Sequence, residues 1–231
     1  MSGSNKRLAL FLPGLYDGGA ERVILNLADG ISRRGYSVDL LLARAEGPFL
    51  AEVPERVRTI DLRVARVLTS TWAVARYLRS EEPAAMLSAL HANIPAVWAK
   101  LLSGYRGRLV ISEHNTLSRL AHECHDLRWR VFPQLAHWFY PLADEIVAVS
   151  AGVGEDLAAE ARIACERIQV VYNPIVTPDL FEKSTELLKD PWFGAGKPPV
   201  VLAVGRLTAQ KSLDTLVRAF AQVRKQRAAR L

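Results

Sequence analysis

The stretch RLALFLPGLYDGGAERVILNLADGI, residues 7–31, sets the fold class of this chain. It begins with a short apolar run, crosses a turn that contains Gly18 and Gly19, and continues with apolar residues at helical spacing. The helical stripe consists of Val23, Ile24, Leu27, Ala28 and Ile31. A buried strand that leads into an amphipathic helix is the unit from which parallel sheets are built. We therefore expect an α/β protein.

Short apolar runs alternate with longer segments of helical periodicity along the rest of the chain. This alternation is typical of a parallel sheet with crossover helices. Strands are predicted at residues 7–12, 36–42, 58–61, 86–89, 108–113, 145–149 and 168–171. Helices are predicted at residues 20–34, 70–81, 94–102, 127–142 and 153–161. These elements complete one doubly wound, Rossmann-like domain over residues 1–172.

A proline-rich stretch at residues 173–198 follows this domain and is predicted to be an interdomain connection. Next comes PVVLAVGRLTAQKSLDTLVRAF, which predicts a strand at 199–204 and a helix at 212–229. One strand and one helix do not make a domain, so we expect residues 199–231 to be only the start of a second domain. The apolar face of that helix then lacks neighbours, which predicts self-association or low stability.

The composition indicates a folded globular protein, because 50% of the 231 residues are apolar and 23% are charged. The net charge of +6 is compatible with nucleic acid, an anionic membrane surface or phosphorylated small molecules, since all three are negative. The two cysteines lack paired spacing, which favours a reduced, cytoplasmic setting. No run of about 18 apolar residues is present, so no transmembrane helix is predicted.

Gly18 and Gly19 stand between the first strand and the first helix, where a ligand can approach the backbone closely. Glycines there can adopt positive φ, and the helix N-terminus offers unpaired amide groups to an anion. The spacing differs from the G-x-G-x-x-G fingerprint of dinucleotide-binding domains. We predict a phosphate or sugar cradle, and the alternative is a tight turn that binds nothing.

Two histidines follow predicted strands, at the carboxyl edge where open parallel sheets bind ligands. His114 comes after the run LVISE, and a neutral imidazole there can hydrogen-bond a sugar hydroxyl or orient a reacting group. His91 has an equivalent place after another strand, and Asn93 beside it is a candidate cap of the next helix. A structural role is the alternative for both histidines.

Arg206 and Lys211 lie in a polar turn after the strand predicted at 199–204. Arginine can bind two phosphate oxygens at once, and lysine supplies a mobile positive charge. Together they predict a site for a departing nucleoside diphosphate, and the alternative is a pair of solvated surface cations.

His122, Glu123, Cys124 and His125 form a cluster of metal-ligating residue types. The two histidines are three positions apart, whereas an H-E-x-x-H pair needs four, and no third ligand is evident. We therefore predict neither a metal site nor a metal cofactor.

The chain resembles family 4 of the retaining, nucleotide-sugar-dependent glycosyltransferases through five segments in matching order. They are GGAERV at Gly18, SEHN at His114, VAVSAGVGEDL around Ser150, VVYNPI at Asn173, and VLAVGRLTAQKSLDTLVRAF around Arg206 and Lys211. The resemblance implies a GT-B architecture, in which two Rossmann-like domains face each other. The C-terminal domain would hold most of the donor, and the N-terminal domain would hold the acceptor.

The same resemblance implies roles for individual residues. His114 would be the catalytic residue, in contact with the donor sugar. The donor-binding residues would be Gly18, Gly19, Asn173, Arg206 and Lys211. The substrates would be a nucleotide-diphosphate sugar and a saccharide or lipid-linked acceptor, in polysaccharide, lipopolysaccharide or glycolipid biosynthesis, with no cofactor. A further donor-binding segment of the family, E-x₇-E, lies beyond residue 231, so we expect this chain by itself to be inactive.

A noncatalytic acceptor-binding or interaction module is the alternative function. In that case residues 218–231, which are basic, would dock onto a partner or onto the cytoplasmic face of an anionic membrane. A nicotinamide-dependent oxidoreductase is disfavoured by the glycine spacing. Nucleic acid is not an expected partner.

Overall fold

The structure is a computed structural model that describes residues 7–123, 127–194, 196–205, 207 and 211–231. At residues 122, 123, 127, 128, 178 and 179 it describes the backbone alone. The chain divides into two compact units, and the boundary between them lies between Ile175 and Val176. The domain boundaries predicted at residues 172 and 198 stay predictions.

A parallel sheet of seven strands forms the centre of the first unit. The strands are β1 (Arg7–Leu12), β2 (Ser37–Leu42), β3 (Val57–Asp61), β4 (Ala85–Ala89), β5 (Arg108–Glu113), β6 (Glu145–Ala148) and β7 (Ile168–Val170). Their order across the sheet is β3-β2-β1-β4-β5-β6-β7, and every neighbouring pair is parallel. The seven strands predicted for this domain are confirmed.

Helices cover both faces of the sheet in the described part of this unit. They are α1 (Gly19–Arg33), α2 (Thr71–Glu81), α3 (Asn93–Ser103), α4 (Leu117–Glu123), α5 (Leu127–Phe139) and α6 (Ala151–Ala161). α1 packs on one face, whereas α2, α3, α5 and α6 share the core of the other face. The doubly wound, Rossmann-like arrangement is therefore confirmed. α4 is an addition that the sequence analysis did not predict.

Strand β1 lies in the middle of the sheet because its side chains are apolar on both faces. Ala9 and Phe11 belong to the core under α2 and α3, and Leu10 and Leu12 belong to the core under α1. All four are at most 2% exposed. Burying a side chain such as Leu or Phe contributes about 2 kcal/mol, so the unbroken apolar run of β1 favours this central position.

The second unit contains the helices α7 (Pro178–Ser184) and α8 (Leu213–Gln226) in its described part. α8 confirms the helix predicted at 212–229, and none of its residues is fully buried. α7 lies within residues 173–198, and the interdomain role predicted for that stretch stays a prediction.

The strand predicted at residues 199–204 is not formed, and this prediction is wrong. The segment makes a single bridge, in which Val201 N donates to Arg230 O at 2.8 Å and Arg230 N donates to Pro199 O at 3.0 Å. A strand is stable when a neighbour pairs with its backbone along its length. Leu202 and Val204 remain 76% and 88% exposed, because no described segment pairs with the backbone beyond Val201.

Candidate functional site

The carboxyl edge of the sheet is the place where this topology can hold a ligand. The connection from β1 leads through α1 to β2 on one side, whereas β4, the other neighbour of β1, leads through α3 to β5 on the opposite side. Open α/β sheets bind ligands at such a switch point. The turn after β1 carries Gly18 and Gly19, and His114 follows β5, a strand that lies about 10 Å from β1 across β4 at ordinary strand spacing.

Gly18 and Gly19 form the start of α1. Gly18 is the N-cap with φ −87°, and neither glycine has positive φ, so this turn does not use the backbone freedom of glycine. A Cβ atom added at Gly19 would meet no atom within 4 Å. A side chain is thus sterically tolerated there, and the space beside Gly19 is open to a ligand.

Two charged residues, Glu21 and Arg22, follow these glycines in the first turn of α1. Glu21 is buried, and one of its carboxylate oxygens lies so close to Gly18 that a Cβ there would be 2.2 Å away. Arg22 makes two hydrogen bonds to Glu52 and stacks on the Phe49 ring, with its guanidinium carbon 4.1 Å from the ring centroid. The first turn of α1 therefore contains the carboxylate of Glu21, and Arg22 is held by the loop at residues 48–52.

Gly47 fixes the position of the β1 turn, and sequence reasoning missed it. Leu15 N donates to Glu46 O at 2.8 Å, and Phe49 N donates to Leu15 O at 3.2 Å. Gly47 has φ 112°, and a Cβ atom there would lie 2.0 Å from Leu15 O. The Gly-Pro pair in the sequence is a turn signal that could have identified this position.

His114 is half-buried at the end of β5. Its Nε2 atom lies 3.1 Å from Ser112 Oγ. Burial lowers the pKa of His114 to about 4, so the ring is neutral at neutral pH. A neutral imidazole can both donate and accept a hydrogen bond, which is the property predicted for this residue from the sequence.

Glu113 holds the backbone of the His114 loop in place, and the sequence analysis missed it. Its Oε1 atom accepts hydrogen bonds from the backbone N–H groups of His114 and Asn115, both at 3.1 Å. Its Oε2 atom accepts from the Tyr140 hydroxyl at 2.8 Å. A glutamate at an inward-facing position of an apolar strand was the signal in the sequence.

A buried chain of hydrogen bonds extends from Glu113 to β4 and α3. Asn93 Nδ2 donates to the Tyr140 hydroxyl at 3.2 Å and to Ser112 O at 3.1 Å, and Ser88 Oγ donates to Asn93 Oδ1 at 2.8 Å. We call Ser88, Asn93, Glu113 and Tyr140 the Glu113 cluster. Asn93 is thus a buried network residue; the capping role suggested for it is wrong, because Ala92 is the N-cap of α3.

Glu113 has an unusual protonation equilibrium. Burial raises its pKa to about 7, although hydrogen bonds from Tyr140 and the two backbone amides act in the opposite direction. Because both oxygens already accept hydrogen bonds within the protein, this carboxyl group is a positioning group and is not available to attack a substrate.

His91 and Asn173, the remaining candidates in the first unit, also follow strands. His91 is exposed and meets the Trp129 ring edge-on, with 5.8 Å between ring centroids. Asn173 is half-buried in the segment after β7, where Ile175 N donates to Asn173 O at 2.9 Å. Asn26 Nδ2 of α1 donates to Pro174 O at 3.1 Å, so this segment is attached to α1.

The two predicted diphosphate cations belong to the second unit. Arg206 lies outside the described residues. Lys211 is exposed, and its aliphatic stem lies beside Gly205, where an added Cβ would be 3.5 Å from Lys211 Cδ. Gly18, Gly19, His114 and Asn173 are thus parts of one domain, and Lys211 is part of the other.

The described ranges hold neither a metal-binding group nor a membrane-spanning helix. No three His, Cys, Asp or Glu side chains there are placed to share a metal ion. The side chains of His122, Glu123, Cys124 and His125 lie outside the described residues, and the absence of a metal stays a prediction. No helix in the described ranges is long and apolar enough to span a bilayer.

Two solved structures share this fold. HepE from Anabaena in complex with UDP-glucose has a TM-score of 0.67 at 20% identity, over 94% of this chain and 57% of that one. A glycosyltransferase from Rickettsia africae has a TM-score of 0.65 at 17% identity, over 96% of this chain and 58% of that one. The fold of the first unit is therefore the Rossmann-like fold of GT-B proteins.

A curated relative comes from Campylobacter jejuni and is named N-acetylgalactosamine-N,N'-diacetylbacillosaminyl-diphospho-undecaprenol 4-alpha-N-acetylgalactosaminyltransferase. It is 27% identical over 232 residues, which cover 95% of this chain and 60% of that protein. The chain thus spans about three fifths of the length of the relatives that it matches.

The family model described as Glycosyltransferase Family 4 matches residues 17–178. This range is more than half of the 231 residues, and it includes Gly18, Gly19, His114 and Asn173. By this match, the chain belongs to Glycosyltransferase Family 4.

Proposed function

We propose that the protein is a glycosyltransferase that moves a sugar from a nucleotide-diphosphate sugar to a saccharide or lipid-linked acceptor. The observation that carries the proposal is the family match, which covers the sheet edge with the Gly18–Gly19 turn and the neutral His114. The complex of HepE with UDP-glucose supports the donor class. The name of the Campylobacter relative, which contains diphospho-undecaprenol, supports a lipid-linked acceptor.

In this proposal the first unit orients the sugar and approaches the phosphates. His114, uncharged at neutral pH, exchanges hydrogen bonds with a hydroxyl of the donor sugar. The open space beside Gly19 lets a phosphate approach the backbone amides at the start of α1. Asn173, attached through Pro174 to α1, supplies a further polar group to the donor.

The second unit supplies the positive charge that the leaving group needs. Lys211 is exposed, so its ammonium can neutralise a diphosphate, and Arg206 is proposed to bind two phosphate oxygens at once. Cationic side chains and helix N-termini can stabilise a departing diphosphate as a bound Mg²⁺ does in other enzymes. We therefore propose catalysis without a metal.

The proposed reaction retains the configuration of the anomeric carbon. The acceptor hydroxyl oxygen forms the new bond to that carbon on the face from which the diphosphate departs, and the carbon–oxygen bond to the diphosphate breaks. The hydroxyl proton passes to the leaving phosphate oxygen. No carboxylate nucleophile is needed, which fits the full engagement of Glu113 by Tyr140 and two backbone amides.

The test is sugar transfer from a panel of nucleotide sugars to an undecaprenyl-diphosphate-linked saccharide. It uses this chain and an extended version, in which the chain is joined to the part of the Campylobacter relative that it does not cover. We expect the extended version to be active with at least one donor and unaffected by EDTA. His114→Ala should reduce its turnover about tenfold, the effect of one neutral hydrogen bond.

Failure of the extended version with every common donor would contradict the enzymatic proposal. Binding of the acceptor without any transfer would then favour the noncatalytic acceptor-binding module.

A further inference from the structure

An apolar groove lies on the outer surface of the first unit, on the helices that cover one face of the sheet. It has a volume of about 530 Å³ and is formed by the short helical turn Val67–Ser70, the start of α2 and the end of α3. Its lining consists of Leu68, Thr69, Thr71, Trp72, Trp98, Leu101 and Leu102. We call this surface the Trp72 groove.

The Trp72 groove exposes side chains that normally contribute to a core. Trp72 is 69% exposed, and Leu68, Leu101 and Leu102 are 51%, 56% and 47% exposed. Single exposed apolar residues are common on protein surfaces, but a contiguous set in a groove marks a site of interaction. These residues are not needed to bury the sheet, because the α2 core is filled by Val74, Ala75 and Leu78 on the opposite side of the helix.

Positive charge lies along the same side of α2. Arg76 and Arg79 follow Trp72 at four and seven positions, which places them on one helix face, and both are exposed. Arg79 Nη2 donates to Leu102 O at 3.5 Å, so this guanidinium reaches the edge of the groove. Among the residues that the structure describes, no carboxylate forms an ion pair with Arg76 or Arg79.

We propose that the Trp72 groove is a docking surface for an anionic lipid bilayer. Tryptophan prefers the boundary between headgroups and acyl chains, where its ring is buried and its N–H stays hydrated. Arginines at the rim bind the phosphates of anionic headgroups. This combination of exposed Trp and Leu with arginines that form no ion pair among the described residues fits a membrane better than a second copy of this chain, whose matching arginines would repel each other.

The inference goes beyond the proposed reaction and does not depend on it. Its test is therefore binding, not activity. The full chain is sedimented with vesicles of phosphatidylcholine alone and with mixed phosphatidylcholine–phosphatidylglycerol vesicles at low and high salt. We expect binding to the mixed vesicles that weakens with salt, because salt screens the arginine–headgroup attraction.

Three variants locate the binding surface. Arg76→Gln together with Arg79→Gln should weaken binding about fivefold for each charge removed. Trp72→Ser should weaken it severalfold, and Trp72→Phe should restore most of it, because Phe keeps the apolar ring. All of these side chains are exposed, so unfolding temperatures should stay unchanged.

Matched controls remove equivalent groups from the other side of the sheet. Arg33→Gln together with Arg34→Gln removes two charges at the end of α1, and Tyr36→Ser removes an aromatic side chain that is 44% exposed. Neither control should change vesicle binding. Equal loss in the controls and in the groove variants would overturn the proposal, as would wild-type chain that fails to bind the mixed vesicles. A concentration-dependent dimer in light scattering that Trp72→Ser abolishes would assign the groove to a second copy instead.

Discussion

Two buried carboxylates on the same face of the sheet, Asp39 and Glu113, have opposite electrostatic surroundings. Asp39 lies in the third position of β2, towards the amino end of the strand, and Glu113 is the last residue of β5. Both are 2% exposed, and each accepts a hydrogen bond from a tyrosine hydroxyl: Asp39 from Tyr77 of α2, and Glu113 from Tyr140, which follows α5. The other hydrogen-bond partners of the two carboxylates differ, and so do their roles in the protein.

Asp39 is surrounded by cations. It accepts hydrogen bonds from Arg58 at 2.9 and 2.5 Å, from Arg7 at 3.1 Å and from the Tyr77 hydroxyl at 2.6 Å. Both arginines also pair with Glu81. Burial alone would raise the pKa of Asp39, but the hydrogen bonds from Arg58 and Tyr77 and the two positive charges lower it below its ordinary value. This carboxylate joins β1, β2, β3 and α2, so its role is structural.

Glu113 has no cation among its described partners and is held by neutral donors alone. Its pKa is raised by burial, and its hydrogen bonds go to the loop that carries His114. A buried polar network without charge compensation adds little net stability, but it defines one geometry. Similar burial therefore goes with two different roles: Asp39 stabilises the sheet at its amino end, and Glu113 positions the His114 loop at its carboxyl end.

The largest effect is expected from Asp39→Ala. It leaves two arginines and the Tyr77 hydroxyl without their shared acceptor, and breaking a buried ion pair costs about 3 kcal/mol. Urea unfolding measures this loss. Arg58→Gln is the control and should cost less, because the Arg58 side chain is 47% exposed and its charge was already partly hydrated. A loss below that of Arg58→Gln would contradict the structural role of Asp39.

A smaller loss is expected from Tyr140→Phe. The change removes one hydroxyl and leaves Asn93 Nδ2 and Glu113 Oε2 each with one partner fewer, which costs about 2 kcal/mol. Because the phenyl ring stays, no cavity is formed. The same unfolding assay applies, and Tyr105→Phe, which loses a single hydrogen bond to Pro83 O, is the matched control. Equal losses of unfolding free energy in Tyr140→Phe and Tyr105→Phe would show that the hydrogen bonds of the Glu113 cluster do not stabilise one another.

Glu113 and His114 should give opposite pH dependences of stability. The pKa of Glu113 is raised from 4.5 to about 7 in the folded state, so its contribution is lost as pH rises between these values. The pKa of His114 is lowered from 6.5 to about 4, so its contribution is lost as pH falls through that range. In the wild-type chain, these two residues therefore change the free energy of unfolding with pH in opposite directions.

Variants of Glu113 and His114 separate their two contributions to the pH dependence of the free energy of unfolding. Relative to wild type, Glu113→Gln should become more stable as pH rises from 4.5 to 6.5, and His114→Asn should become less stable. Urea unfolding over this pH range measures both, and the difference from wild type at each pH removes the contribution of all shared groups. If the free energy of unfolding changed with pH in both variants as it does in wild type, the shifted pKa values of Glu113 and His114 would be refuted.

The smallest effect on stability is expected from Gly19→Ala. The added methyl group meets no atom within 4 Å, so the free energy of unfolding should change by less than about 0.5 kcal/mol. If a phosphate approaches this turn, UDP binding to the extended version should nevertheless weaken about tenfold in calorimetry. Gly35→Ala is the control: its φ of 85° predicts a loss of about 1 kcal/mol in stability with UDP binding unchanged. Unchanged UDP binding in Gly19→Ala would exclude the phosphate cradle.

Sequence patterns predicted the first unit well because its signals are local. The run RLALFL of β1 and the helical stripe of α1 are each complete within one segment, and burial on both faces of a strand leaves a continuous apolar run. The strand expected at residues 199–204 has a similar run, yet no segment that the structure describes pairs with it along its length. Strand formation depends on a partner, which a local pattern does not report.

The candidate site was predictable only in part. His114 and Gly19 were identified because the carboxyl edge of a parallel sheet is a known ligand position. Glu113, Tyr140 and Gly47 were missed, since their importance depends on contacts with residues far away in the chain.

The sequence by itself determined the α/β class, the order of the strands along the chain and the residues at the sheet edge, because periodicity and turn chemistry act between neighbours in the chain. The tertiary structure alone decided that Asp39 meets two arginines, that Glu113 meets none among the described residues, and that His114 is neutral. Burial and charge pairing arise from residues brought together by folding, and these set a pKa far more than the residue type does.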